Sequence, residues 1–429
     1  MTYADIILPL PLEGYFTYCV PDTLAPRLQP GCRVRVPLGK TKTYTGLVAA
    51  LHDQLPAGLK TGKEGVKSIV EMMDPGPVLL PQQLRLWQWI ADYYLSPIGD
   101  VYKAALPSGL KAEDDYRPKT ETYVVLADDF RSAQALRAAQ AMLQRAPAQQ
   151  KVLRAYLELA SVSEENPVPQ REITREELMN ESHCTATVLR QFLDRRILRL
   201  YEKEVGRIPL GGMPHPEHIK PLSEAQVDAY NQILVQQMSK DITLLHGVTS
   251  SGKTEIYIHL IQRALDEGRQ VLYLLPEIAL TVQMMQRLRR VFGDRLGIYH
   301  SRYSDAERVE IWKRQLSDHP YDVILGARSA LFLPFQRLGL VIVDEEHEQS
   351  FKQMDPAPRY HARSAAIILA KLCGAKVLLG TATPSSESYW NAQTGKYGYV
   401  RLDKRYQDMA LPAVEVVDVK DLRRRKMMT

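Results

Sequence analysis

A chain of 429 residues with 45% hydrophobic and 24% charged residues has room for about three domains, and its composition excludes a largely disordered protein. Its 55 basic and 50 acidic residues leave a net charge of only +5, so contact with nucleic acid has to come from local patches and not from a global field. Cys19, Cys32, Cys184 and Cys373 lie far apart without a CxxC pair, which excludes a disulfide framework and a cysteine zinc site within these residues. The first residues lack a basic leader and are broken by Pro9 and Pro11, and no apolar run nears the roughly 18 residues of a membrane span, so a reducing, cytoplasmic setting without a membrane partner is expected.

Residues 1–112 open with short alternating runs, IILPLPL, YFTYCV, RVRVPL and YTGLVAAL, separated by Pro and Gly, which predict a small β-rich domain. Arg33, Arg35, Lys40 and Lys42 form its basic patch. In PQQLRLWQWIADYYLSPIGD, Leu84, Trp87, Ile90 and Tyr94 recur at helical spacing, so these aromatics belong first to a core and only second to base stacking. Residues 116–207 change to a β run (TYVVLA) followed by short helices, the last of them CTATVLRQFLDRRIL, and then LRLYEKEVGR. A last helix running into a two-strand tail predicts an α-rich, winged-helix-like domain, with Thr187, Arg190, Arg195 and Arg196 offered to phosphates or to solvent. Residues 208–220, rich in Gly and Pro, predict a linker. From 221 to 402 near-continuous apolar strands alternate with helices: LLHG, VLYLLP, LGIYH, DVILG, LGLVIVDEEH and KVLLGTATP. Such strands are buried on both faces, which predicts an α/β lobe on a parallel sheet. Ser304 and Glu307 spell a capping box before AERVEIWKRQL. Arg287, Arg289 and Arg290, and the run at 423–426, are further basic patches.

The lobe opens on DITLLHGVTSSGKT, a strand delivered into GxxxxGK[ST] and then into a helix. Gly247 and Gly252 are expected to permit the backbone angles that turn the N–H groups of Val248, Thr249, Ser250 and Ser251 around phosphate oxygens. Lys253 reaches the β/γ-phosphates and Thr254 holds Mg²⁺. In LVIVDEEH, 91 residues further on (344 minus 253), Asp344 holds Mg²⁺ through water and Glu345 orients the attacking water. In GTATP, Thr381 and Thr383 supply hydroxyls for the acidic motif, and Gly326 to Ser329 bring backbone donors and the Arg328 cation to a nucleic-acid backbone.

These motifs together resemble the superfamily 2 helicases and, within them, the PriA (primosomal protein N′) family of replication-restart helicases. The P-loop, DEEH and GTATP carry the superfamily. LTV after PEIA, GARSALFLP, DEEHEQSFKQ with RYHAR, GTATPS, and the N-terminal PLPL, GCRVRVPLGK and ADYYLSPIGD carry the nearer likeness. The resemblance implies that 221–402 is a RecA-like, ATP-binding first helicase lobe. It implies that 1–112 recognises the 3′ end of a nascent DNA strand through Phe16, Thr17, Gly39 and Lys67. A Phe to stack a base, a Gly admitting the chain closely and a Lys for phosphate suit such a pocket. The family's Phe-Asp-Tyr triplet is Phe16-Thr17-Tyr18 here, so position 17 supplies no carboxylate. Ser250 stands where the family often has Gly, which a backbone outside the left-handed region tolerates. Residues 351–363 resemble an aromatic-rich loop that couples single-strand binding to ATP hydrolysis: Tyr360 and His361 stack on bases, and Lys352, Arg359 and Arg363 contact phosphates or the active site. His347, Thr381 and Thr383 belong to the same coupling. Gln226, in LSEAQ, reads the adenine edge.

A helicase of this kind needs a second RecA-like lobe to complete its ATP site. Only 45 residues (429 minus 384) follow Pro384, and 403–429 reads as the truncated start of that lobe. The zinc region that the resemblance implies is expected only beyond it. The chain is therefore expected to be an N-terminal fragment that binds ATP and turns it over poorly. For the parent protein the resemblance implies a 3′-to-5′ DNA helicase that recognises stalled or branched forks and starts primosome assembly. Its implied partners are forked and single-stranded DNA, primosome proteins and single-strand-binding protein. The alternative is an ATP-gated adaptor on branched DNA that loads partners without unwinding. A P-loop kinase is disfavoured, because DEEH with GTATP suits a translocase better.

Overall fold

Alternation of apolar and polar residues builds the first sheet. The computed structural model describes residues 2–55, 65–111, 119–163, 165–204, 206, 208, 212–405 and 420. Strands β1 (Thr2–Ile7), β2 (Phe16–Val20), β3 (Arg33–Leu38), β4 (Lys42–His52) and β5 (Glu71–Met72) form an antiparallel sheet in the order β2-β1-β4-β3-β5. Ala4, Ile6, Tyr18, Val20, Val34, Val36 and Val48 bury one face of it, as the period of two requires. Three helices follow: α1 (Pro81–Tyr93), α2 (Ile98–Ala105) and α3 (Ser108–Lys111). Pro81 starts α1, and the Gln83 side chain accepts from the Leu80 N–H. Leu86, Trp87 and Ile90 are fully buried beneath α1, so the core reading of Trp87 and Ile90 holds. Arg33, expected in a basic patch, is 5% exposed. It donates to both oxygens of Asp74 and to the Leu110 carbonyl, which commits it to the fold and not to DNA.

The chain divides into two units, Met1–Asp115 with Leu210–Thr429, and Tyr116–Pro209. The second unit comprises β6 (Thr120–Leu126), α4 (Ala133–Met142), α5 (Pro147–Leu159), β7 (Ile173–Thr174), α6 (Arg175–Ser182), α7 (Ala186–Asp194) and β8 (Leu198–Glu204), with an antiparallel sheet in the order β7-β6-β8. Its core gathers Val124, Leu126, Leu153, Tyr156, Leu189, Phe192 and Leu198. The expected two-strand tail is not formed as such. β8 is a single strand, and its long partner is β6 from the start of the same unit, because Leu198 and Leu200 have apolar neighbours there. Thr187, Arg190, Arg195 and Arg196 are exposed, and Arg195 donates to Gln149.

In the first unit the chain resumes with α8 (Glu224–Ser239), β9 (Ile242–Gly247), α9 (Lys253–Asp266), β10 (Gln270–Leu274), α10 (Val282–Phe292), β11 (Leu296–Tyr299), α11 (Asp305–Leu316), β12 (Val323–Gly326), β13 (Leu338–Asp344), α12 (Ala362–Cys373), β14 (Lys376–Thr381), α13 (Ser386–Gln393) and β15 (Gly398–Leu402). The strands form one parallel sheet in the order β11-β12-β10-β13-β14-β9-β15. Every predicted strand is present, and β10, β11 and β12 are buried along their whole lengths. The Ser304–Glu307 capping box starts α11. The segment expected as a linker is pinned to the lobe: the Gly212 N–H donates to Asp294 and the His215 N–H to the Val291 carbonyl. The first domain is also braced on the lobe, through Gln82 to the Phe335 carbonyl, Gln83 to the Phe332 carbonyl and Trp312 to the Val78 carbonyl. Most of 403–429 lies outside the described residues. Among the described residues no helix is long and apolar enough to cross a membrane.

Candidate active site

In a parallel sheet every strand ends on the same edge, and ligands gather there. The P-loop leaves the end of β9, the acidic motif the end of β13 and GTATP the end of β14, which lies between them. Gly247 and Gly252 have different duties. Gly252 has φ +78°, and a Cβ there would stand 2.3 Å from the Gln226 amide nitrogen. Gly247 has no positive φ, but a Cβ would meet Ser251 Oγ at 3.0 Å and the Lys253 chain at 3.1 Å, so its smallness keeps the cradle open. Ser250 has φ +63°, against the expectation of a backbone outside the left-handed region; the loop imposes the turn and the serine carries its strain. Lys253 Nζ rests on the Gly247 carbonyl at 2.9 Å, and Ser251 Oγ is buried without a partner. A cradle with a free hydroxyl, a lysine held only by a carbonyl and a helix N-terminus fits a phosphate chain.

Gln226 does not do what the sequence suggested. Its Oε1 accepts from the Ser223 N–H, its Nε2 donates to the carbonyls of Ser251 and Gly252, and it is 1% exposed. With both ends of the amide engaged, Gln226 braces the P-loop and caps α8, and no part of it is left to read a base edge.

Asp344 is 8% exposed. Its Oδ1 accepts from Tyr257 at 3.0 Å and from the Glu345 N–H at 3.1 Å, and its Oδ2 accepts from Tyr273 at 3.2 Å. Burial, reinforced by the Glu345 charge, pushes its carboxyl up to about 6, with the Tyr257 bond pulling the other way. Both phenols are fully buried and pushed upward, by burial first and by the Asp344 charge second. Gly380, beside them on β14, has no room for a side chain, because a Cβ would stand 1.8 Å from the Tyr257 hydroxyl. Glu345, the first residue past the end of β13, has φ +48°, a strained backbone conformation for a residue with a side chain. His347 joins the two motifs as the sequence implied: Nδ1 lies 2.8 Å from Thr381 Oγ1 and Nε2 3.3 Å from Thr383 Oγ1.

Sequence reasoning missed Glu346, which is fully buried. Its Oε1 accepts from the Ser385 N–H at 2.7 Å. Its Oε2 accepts from Arg363 at 2.5 Å, Ser385 Oγ at 2.9 Å and Ser388 Oγ at 2.8 Å. These bonds hold its carboxyl below the usual range despite burial. The acidic motif, the start of α12 and the start of α13 therefore meet on one carboxylate. The only available signal was a second Glu followed 17 residues later by an Arg.

The aromatic-rich loop is rearranged relative to expectation. Tyr360 is 1% exposed and sets its ring against Phe332, with centroids 5.2 Å apart at 70°, so it is core and cannot stack on a base. His361 is half-buried; its N–H donates to the Tyr94 hydroxyl, and burial holds its imidazole down to about 4. Lys352 donates to the Arg359 carbonyl and stands over the Tyr94 ring, 5.0 Å from its centroid. Arg328 donates to the carbonyls of Ser350 and Lys352, which ties the end of β12 to this loop. Arg363 is spent on Glu346.

In the first domain, Phe16 packs against the hydrophobic core while Thr17, the next residue along β2, faces away from it. The four expected pocket residues thus do not share one face. Lys67 donates to the Gly39 carbonyl, bringing those two together. A carboxylate stands beside position 17 on the neighbouring strand: Asp5 pairs with Thr17, and its Oδ1 accepts from the Thr17 hydroxyl at 2.7 Å while Oδ2 lies 2.6 Å from His52 Nε2.

Comparison with known proteins places each region. Residues 5–107 match the PriA 3′DNA-binding domain (3′BD), 121–205 the winged helix domain of Bacteroidota PriA helicases, and 223–390 the DEAD/DEAH box helicase domain. The replication restart protein PriA of Haemophilus influenzae is 33% identical over 98% of this chain and 54% of its own length, and that of Bacillus subtilis 31% identical over 98% and 58%. The chain therefore spans somewhat more than half the length of these curated relatives. The Pyrococcus furiosus Hef helicase domain is 18% identical, over 46% of this chain and 41% of its own, with a TM-score of 0.33, a likeness too slight to argue from.

Proposed function

The chain belongs to the PriA family of replication restart proteins, and from that premise we propose that it is the DNA-binding and first motor portion of an ATP-dependent 3′-to-5′ DNA helicase that recognises branched replication forks and starts primosome assembly. We assign 1–112 to DNA-end binding, 116–207 to the winged helix and 221–402 to ATP. The observation that carries the motor half is the convergence, on one sheet edge, of Lys253, Asp344 and a His347 bonded to both GTATP hydroxyls. Lys253 exchanges its bond to the Gly247 carbonyl for a phosphate oxygen. Thr254 and, through water, Asp344 would hold a Mg²⁺ ion, which would supply charge neutralisation for the phosphates when bound. Glu345 orients the attacking water, and His347 passes its position to Thr381 and Thr383. Arg363 and Glu346 connect the DNA-side loop to the same motif. Single-stranded and forked DNA are the substrates, and primosome proteins with single-strand-binding protein are the expected partners.

For the DNA half, Asp5 takes the part of the missing carboxylate, with Thr17 and His52 orienting it toward a terminal hydroxyl. The test is equilibrium binding to forks whose leading strand ends in a 3′ hydroxyl or a 3′ phosphate. The free hydroxyl binds more tightly, and Asp5→Asn narrows the difference. Equal wild-type affinity for both forks overturns the end-recognition assignment.

A further inference from the structure

Two phenols converge on Asp344 from separate elements. Tyr257 lies one turn beyond Lys253 on α9, and Tyr273 lies on β10, the strand beside β13. Both are fully buried, and their rings meet edge to face, with centroids 5.6 Å apart and planes at 77°. The rings belong to the core that packs α9 on the sheet, a duty that phenylalanine would serve at either place. The hydroxyls are what set these residues apart, and a buried hydroxyl needs a partner. Both are spent on one carboxylate: Tyr257 donates to Oδ1 at 3.0 Å and Tyr273 to Oδ2 at 3.2 Å. Gly380 on β14 leaves the space that the Tyr257 hydroxyl occupies.

An ionised carboxylate offers about four lone-pair positions. Among the described residues Asp344 gives three of them to the protein: two on Oδ1, to Tyr257 and the Glu345 N–H, and one on Oδ2, to Tyr273. A single position, on Oδ2, is left. We propose that Tyr257 and Tyr273 are positioning residues for the metal: they fix the Asp344 carboxylate so that its open position on Oδ2 is the one that accepts from a water on Mg²⁺. The proposal rests on the reading of this edge as an ATP site and adds to it the groups that aim its aspartate. Phenols suit the task because they are neutral. They donate to the carboxylate without cancelling the charge that draws a cation, whereas a Lys or Arg in their place would compete with the metal. Burial in a low dielectric strengthens both bonds. Thr254 and Tyr257 share the start of α9, so the helix that offers a hydroxyl to the metal also holds the carboxylate.

The test is titration of the whole chain with a fluorescent N-methylanthraniloyl derivative of AMP-PNP, in EDTA and over a range of Mg²⁺. The wild-type chain binds it more tightly with Mg²⁺ than without. Tyr257→Phe and Tyr273→Phe each raise the Mg²⁺ concentration for half of that enhancement by about tenfold, the lower end for loss of an outer-shell partner, because Asp344 itself meets the metal through water. Affinity in EDTA stays at the wild-type value, which a general loosening of the core would not allow. Tyr273→Phe removes one bond from Oδ2 and leaves α9 untouched, so it decides the matter if Tyr257→Phe does not fold. Wild-type Mg²⁺ dependence in either folded variant, or a fall in affinity by the same factor with and without Mg²⁺, overturns the proposal and leaves the phenols a packing role. Absence of a Mg²⁺ enhancement in a wild-type chain that binds the nucleotide overturns it too. A wild-type chain that binds no nucleotide in either medium contradicts the ATP reading itself and takes the proposal with it, so the two failures are distinct.

Discussion

Replacing Asp344 by Asn tests the electrostatics of the acidic motif. The aspartate is 8% exposed, and its carboxyl is raised from 3.8 to about 6, first by burial and then by Glu345. Folding therefore favours the protonated form. The favourable contribution is complete below pH 3.8 and is lost as the pH rises through about 6. Above that, holding the ionised group costs about two pK units, or at most about 3 kcal/mol at 1.36 kcal/mol per unit. Asn keeps an acceptor for Tyr257 and offers a donor to the Tyr273 oxygen, so little packing is lost. Urea unfolding at pH 8, without nucleotide or Mg²⁺, shows Asp344→Asn more stable by up to about 3 kcal/mol, and the gain shrinks toward pH 5. Mg·ATP binding falls in the same variant, the usual exchange of stability for function. A variant equal to or less stable than wild type at pH 8 refutes the argument that the site stores this cost.

Two further substitutions separate strain from support. Ser250→Gly relieves the left-handed backbone and raises thermal stability by up to about 1 kcal/mol; a lowered midpoint contradicts the strain. Glu346→Ala strands Arg363 in a site where its side chain is 12% exposed and costs about 3–5 kcal/mol in urea unfolding. A loss under about 1 kcal/mol contradicts the view that Glu346 is the junction of the three segments.

The parts of the site that are contiguous in the chain are legible in the sequence. GVTSSGKT, DEEH and GTATP each carry their chemistry within a few residues, and the apolar strands ahead of them force the parallel sheet. What is not legible depends on partners distant in the chain. Glu346 needs Ser385, Ser388 and Arg363, and Asp5 needs the register that sets β1 beside Thr17. Tyr360 reads as a stacking residue because burial under Phe332 leaves no local mark. Gln226 reads as a base contact because its three bonds to the P-loop and the helix cap arise only on folding. The left-handed turn at Ser250 is a loop conformation that a serine does not announce.

The motor reading depends on one ATP site at the edge where β9, β14 and β13 end. Calorimetric titration of the chain with Mg·ATP tests it most directly. The prediction is a single saturable site that Lys253→Ala abolishes while the folded state remains intact. No binding by the wild-type chain, or equal binding by Lys253→Ala, contradicts that reading.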